Sequence, residues 1–280
     1  TLTCRLLIAE VSSSRHLREV RSDRRILRLG EGVDKDRVLR GDAMARVVAT
    51  LKEWRQIIDA YQVEATAVVA TSAVRDAGNR QEFLELIARE TGLQVEIISG
   101  EEEARRTMLG IRSGLPADIA GILALDIGGG STECILDRPG HLPMVRSMDI
   151  GVVRVGERVL KSDPPTAGEL QQAREWIRSE TQAAVATMPL TPGLTCVGTA
   201  GTITALAAMA QQLPAYEPAR IHNYILSLDV VKRLEAELLS RSNAQRVGMP
   251  GLKRGREDVI AAGAIILKTM METLGMGTVL

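Results

Sequence analysis

The chain has 280 residues, 45% hydrophobic and 25% charged, and its 35 basic side chains balance its 35 acidic ones. This composition fits a globular protein of about two domains, and zero formal charge argues against a general nucleic-acid binder. No apolar run approaches the ~20 residues of a membrane helix, so no membrane partner is expected. Cys4, Cys134 and Cys196 are too far apart for a metal knuckle or redox pair, and His16, His141 and His222 are scattered. Free thiols in a reducing, cytoplasmic compartment follow as the expectation. Six basic residues are lysine and the rest arginine, a bias that fits base composition and also fits recognition of anions by planar guanidinium forks.

In chain order, Arg5 to Val11 reads as a strand and Ser12 to Ser14 as a turn. His16 to Val20 and Arg25 to Leu29 read as further strands of a meander. Its solvent face carries Arg15, Arg18, Arg21, Arg24, Arg25 and Arg28. In Ala43 to Ala60, the residues Val47, Val48, Leu51, Trp54, Ile57 and Ile58 share one helical face, with Asp42 as N-cap. Glu64 to Thr71 is a strand, Asn79 caps a helix to Glu90, and Val95 to Ile98 is a strand followed by a helix from Glu101 to Ile111. Gly114 to Ala120 marks the boundary, dividing the chain into residues 1–118 and 119–280.

The second part opens with an apolar strand, Ile122 to Asp126, and continues with strands at Thr132 to Leu136 and Met144 to Asp149. Thr166 and Glu169 form a capping box for a helix reaching about Thr187. Leu194 to Val197 is a strand, and Gly198 to Thr202 turns into a helix over Ile203 to Met209. Helices at Asp229 to Leu239 and Glu257 to Leu274 close the chain. Thr1 to Ile8 superposes on Gly129 to Leu136, with Thr3 matching Ser131. The second copy follows Asp126-Ile127-Gly128, so an Asp-X-Gly is expected ahead of Thr1. An internal repeat implies two similar lobes around one cleft.

Four segments carry chemistry. In Asp126-Ile127-Gly128-Gly129-Gly130-Ser131-Thr132-Glu133 a buried strand delivers a carboxylate, and a side-chain-free turn lets backbone N–H groups cradle an anion. The Ser131 and Thr132 hydroxyls add donors, and Asp126 suits a Mg²⁺ ion. Gly198-Thr199-Ala200-Gly201-Thr202 again runs from a strand into a helix N-terminus. Glu101, Glu102 and Glu103 occupy a first helical turn, where acids complement the dipole and one can turn inward as a base. Arg75, just past a strand end, can clamp phosphate or stand on the surface.

With TLTCRLLIAE, ATSAVRDAGN, VEIISGEEEAR, LALDIGGGSTE, MDIGVVRVGER, GTAGTITALAA and GREDVIAAGAIIL in this order, the chain resembles the exopolyphosphatase/guanosine pentaphosphate phosphatase (Ppx/GppA) family over nearly its whole length. The resemblance implies an α/β, duplicated actin-like fold of two domains with an interdomain cleft, in the family's short form. It implies Glu103 as the catalytic general base. It implies phosphate contacts from Thr1, Thr3, Arg75, Gly128, Gly129, Gly130, Ser131, Gly198, Thr199, Gly201 and Thr202. Asp126 and Glu133 are its implied ligands for Mg²⁺. Leu2 stands where the family's first loop carries an amide. Inorganic polyphosphate and guanosine pentaphosphate are the implied substrates, with no nucleic-acid partner; a homodimer stays open. The alternatives are an actin-like small-molecule kinase and a nucleotide-binding scaffold without turnover.

Overall fold

The computed structural model describes residues 1–12, 17–116 and 118–280. Ser13 and Ser14 of the expected turn, Arg15, His16 and, within the expected boundary, Ala117 lie outside the described residues. The chain divides into two compact units, Thr1–Ser99 and Gly100–Leu280.

In the first unit, β1 (Thr3–Val11) pairs antiparallel with β2 (Leu17–Ile26). β2 is one strand where the sequence suggests two. Ser22-Asp23-Arg24 holds no breaker, and the ladder runs through Leu6↔Asp23 and Arg5↔Arg24. A short α1 (Val33–Asp36) leads to α2 (Gly41–Ala60), whose N-cap is Arg40. Asp42 does not cap α2; it lies in the first turn and binds Arg40 and Arg46. β3 (Val68–Ala70) is shorter than expected, followed by α3 (Ser72–Asp76), α4 (Arg80–Thr91) and β4 (Val95–Ile97), parallel to β3. Asn79 occupies the N-cap of α4, but its side chain reaches across the chain. It accepts from Leu39 N–H at 2.8 Å and donates to the Leu39 carbonyl at 3.0 Å. The apolar face of α2 packs with Phe83 and Ile87 of α4, each such burial stabilising by about 1.5–3 kcal/mol.

The second unit begins with α5 (Gly100–Gly114), ahead of the division the sequence suggests at 118/119. Ala104 and Met108 of α5 are buried with Ile122, Ala124 and Ile135 of the strands that follow, which is why the helix belongs with them. Those strands are β5 (Ile122–Ile127), β6 (Thr132–Asp137) and β7 (Met144–Met148). After them come α6 (Val152–Arg158), α7 (Ala167–Val185), β8 (Thr195–Thr199) and α8 (Ala200–Ala210). The chain ends with α9 (Pro218–Ile221), β9 (Leu226–Ser227), α10 (Leu228–Leu239), α11 (Asn243–Arg246), α12 (Ile260–Leu274) and β10 (Thr278–Val279). The main sheet has the order β7-β6-β5-β8, with β8 parallel to β5 and the other pairs antiparallel. The capping box at Thr166 and Glu169 forms as expected. α12 lies against α8, and a Cβ on Gly263 would stand 2.4 Å from the Thr202 methyl. Among the described residues no helix is long and apolar enough to cross a membrane.

Candidate active site

β5 and β8 run parallel and end side by side, with Asp126 paired to Thr199. Each end passes into small residues, the place where open α/β sheets take ligands. Beyond β5, Gly128 donates its N–H to the Ser131 carbonyl at 2.9 Å, so that donor is spent in closing the turn. The other carbonyls of the turn face α6. Val152 N–H donates to Gly128 O at 3.0 Å and Val153 N–H to Gly129 O at 2.9 Å. Arg154 Nε–H donates to Gly130 O at 2.8 Å. In a planar trans peptide the C=O and N–H bonds point in opposite directions. The N–H groups of Gly129, Gly130 and Ser131 therefore point away from α6, as successive donors of an anion nest do. Gly151 permits this approach, because a Cβ there would lie 2.3 Å from Gly129 O.

Carboxylates gather beside the turn. Glu133 is the cross-strand partner of Asp126 and is only 2% exposed. Burial first, then the charges of Asp126 and Glu103, push its carboxyl up to about 8. Ser147 donates its hydroxyl to Glu133 Oε1 at 2.8 Å, and the Ser131 side chain also bonds Glu133. The Ser131 hydroxyl is thus turned toward a carboxylate, and that of Thr132 donates to the Ile150 carbonyl. Neither is arranged as the phosphate donor the sequence suggests.

The acids of α5 separate by role. Glu101 is exposed, and Glu102 accepts from Arg105 and Arg106, whose guanidinium groups hold its carboxyl down at about 2. Glu103 is half-buried, and its charge is the one of the three that reaches Glu133. One turn on, Thr107 donates its hydroxyl to Asp126 Oδ2 at 3.3 Å.

Among the described residues no group of three His, Cys, Asp or Glu side chains is gathered tightly enough to hold a metal alone. Mg²⁺ is usually bound by one or two carboxylates, with waters and substrate phosphates filling the remaining positions. Asp126 and Glu133, hard oxygen donors crowded by like charge, fit a cation of that kind.

The second glycine segment differs from expectation. Gly198 lies inside β8, and its N–H donates to the Leu280 carbonyl at 2.8 Å. Its missing side chain makes room for Ile203 and Val279, so it is a packing glycine. Thr199 is the N-cap of α8 without a side-chain cap bond, and Ala200 is the residue that takes positive φ, 67°. Gly201 accommodates the Arg256 guanidinium, whose Nη2 lies 2.2 Å from where a Cβ would stand. Thr202 donates its hydroxyl to the Ile127 carbonyl at 3.2 Å, tying α8 to the end of β5. The backbone at the start of α8 lies against the buried Arg256 guanidinium.

Thr1, Thr3 and Arg75 lie in the first unit. The Thr1 carbonyl accepts from Gly30, Thr3 enters the β1–β2 ladder opposite Ile26, and Arg75 Nη1 donates to the Ile98 carbonyl at 2.8 Å. Sequence reasoning missed α6, Arg154, Arg256, Thr107 and Ser147. The spacing of Val152, Val155 and Val159 around an embedded arginine was the available signal for α6.

The fold is α/β and of the actin-like, two-domain class, with a glycine turn and paired carboxylates at a strand end of the second unit. The model of the Ppx/GppA phosphatase family matches residues 7–279, and the chain belongs to that family. It is 36% identical over 285 aligned residues to exopolyphosphatase 2 of Mycobacterium tuberculosis, covering 98% of this chain and 88% of that protein. The crystal structure of the Aquifex aeolicus family member is similar at TM-score 0.82 and 31% identity, over 99% of this chain and 89% of that one. An exopolyphosphatase from Cytophaga hutchinsonii is similar at TM-score 0.88 and 26% identity, covering 100% and 90%.

Proposed function

We propose that this chain is an exopolyphosphatase, releasing terminal phosphate from inorganic polyphosphate and, at the same site, from guanosine pentaphosphate. One observation carries the reading: Asp126 and Glu133 face each other across the β5–β6 ladder, with the charge of Glu103 in reach of Glu133, beside a turn whose Gly129, Gly130 and Ser131 N–H groups point away from α6. The names of the M. tuberculosis and C. hutchinsonii relatives support the substrate class.

In this mechanism the backbone nest binds the terminal phosphoryl group and offsets charge on its three oxygens as they flatten into one plane, while the bridging P–O bond breaks and the shortened phosphate chain leaves opposite the attacking water. Glu103 orients a water and takes its proton for in-line attack. No covalent enzyme intermediate is required, because phosphoryl transfer depends mainly on positioning and electrostatics. Asp126 and Glu133 would hold Mg²⁺, which supplies charge neutralisation for the phosphate oxygens. Thr107 and Ser147 orient those two carboxylates.

The test is phosphate release from long-chain polyphosphate, guanosine pentaphosphate and ATP side by side, with and without Mg²⁺. Rapid Mg²⁺-dependent release from polyphosphate is expected, with ATP turned over slowly. Hydrolysis confined to ATP, or tight binding with no release from any of the three, would overturn the reading.

A further inference from the structure

The hydrogen bonds around the glycine turn assign a role to a residue outside the acid-and-loop set. Arg154 is 4% exposed, so its guanidinium is closed off from a ligand in solvent. Its Nε–H donates at 2.8 Å to the carbonyl of Gly130. That carbonyl belongs to the peptide whose nitrogen is Ser131 N. Fixing the oxygen toward Arg154 therefore fixes the Ser131 N–H in the opposite direction. The two preceding peptides are fixed by main-chain donors, Val152 and Val153, at the start of α6. The third peptide is the one held by a side chain. Without that bond, a peptide next to glycine has wide rotational freedom, and its N–H can leave the nest at little cost.

We infer that Arg154 is a positioning residue for phosphate binding: it locks the Gly130–Ser131 peptide so that three consecutive N–H groups face one anion. This rests on the reading of the Gly128–Ser131 turn as the phosphate cradle. Arg154 also approaches Asp149 Oδ1 at 3.7 Å, but Asp149 is largely exposed, and this contact is too long to be a hydrogen bond. The bond to Gly130 O, at 2.8 Å, is the contact that reaches the turn's third peptide.

The experiment uses the full chain in a Glu103→Gln background, so that ligand is bound without turnover. Arg154→Met keeps the apolar stem and removes the donor; Arg154→Gln removes the charge and keeps an N–H that can reach a nearby carbonyl. Tripolyphosphate affinity is measured by calorimetry at fixed Mg²⁺, with thermal midpoints taken in parallel. The expected result is at least a tenfold loss of affinity in Arg154→Met at temperatures well below its midpoint, with a large part restored in Arg154→Gln. Backbone ¹⁵N relaxation without ligand is the second readout, with Gly130 and Ser131 rigid in the parent and mobile in Arg154→Met. Affinity within twofold of the parent, or unchanged relaxation at Gly130 and Ser131, overturns the inference. Equal loss of thermal midpoint in both variants with unchanged affinity would mark a purely structural arginine and overturns it too. Should the parent itself fail to bind tripolyphosphate, the proposed function fails, and the relaxation data alone decide the role of Arg154. If Arg154→Met does not fold, Arg154→Lys, which keeps the charge and displaces the donor, carries both readouts, with weakened binding and a mobile Ser131 in support and both unchanged against.

Discussion

Glu133 stands directly across the β5–β6 ladder from Asp126, and it is buried where Asp126 is only half-buried. Two carboxylates so placed cannot ionise independently. Burial and the neighbouring charges favour the neutral form of Glu133 up to about pH 8.

A pH dependence of stability follows. The folded-state value of Glu133, about 8, lies above the ordinary value of 4.5. Its contribution is therefore fully present below about pH 4.5 and is lost as pH rises through about 8. Glu133→Gln mimics the neutral form and removes this loss. Urea denaturation in a chelating buffer should show wild type falling relative to Glu133→Gln between pH 5 and pH 9. Parallel curves across that range would contradict the assignment.

Gly151 tests the geometry of the turn from the other side. Alanine there would place a Cβ 2.3 Å from the Gly129 carbonyl oxygen, and the atoms it meets are backbone that cannot swing aside. Displacement of the glycine turn is expected, with phosphate release from polyphosphate falling by roughly tenfold or more, since misplacement near 1 Å can cost up to about a hundredfold. Thr166→Ala is the control. It removes one half of the α7 capping box and should cost about 1 kcal/mol of stability while leaving turnover at 25 °C unchanged.

Away from the site, Glu235 is 4% exposed between Arg174 Nη2 at 2.9 Å and Lys268 Nζ at 3.0 Å. Glu235→Ala leaves the largely enclosed Lys268, its side chain 15% exposed, without this carboxylate. Breaking such a pair costs about 3–5 kcal/mol. The lower end is expected, because Arg174 can turn partly to water with its side chain 31% exposed. A loss below 1 kcal/mol in chemical denaturation would show the triad to be dispensable.

The parts of the site legible in the sequence were those with a single physical meaning. An apolar strand ending in Asp126 and running into three glycines specified both β5 and the turn, and outside the site the Thr166/Glu169 pattern specified the start of α7. Glu103 could be singled out among three acids only through the family resemblance. In the structure Glu102 is bound by Arg105 and Arg106, while the charge of Glu103 reaches Glu133. Gly198 was misread because a glycine that admits Ile203 and Val279 looks the same in sequence as one that admits a phosphate. α6 was missed because the valine spacing that signals it spans barely two turns, although this helix orients the donors of the turn.

Glu103 as the base is the residue on which hydrolysis turns. Glu103→Gln keeps the side-chain shape and removes the proton acceptor, and loss of a general base typically lowers rate by ~10²–10⁴-fold. The deciding measurement is single-turnover phosphate release from polyphosphate at saturating substrate. The predicted result is a fall of at least a hundredfold with polyphosphate affinity kept; a rate within threefold of wild type would contradict the account.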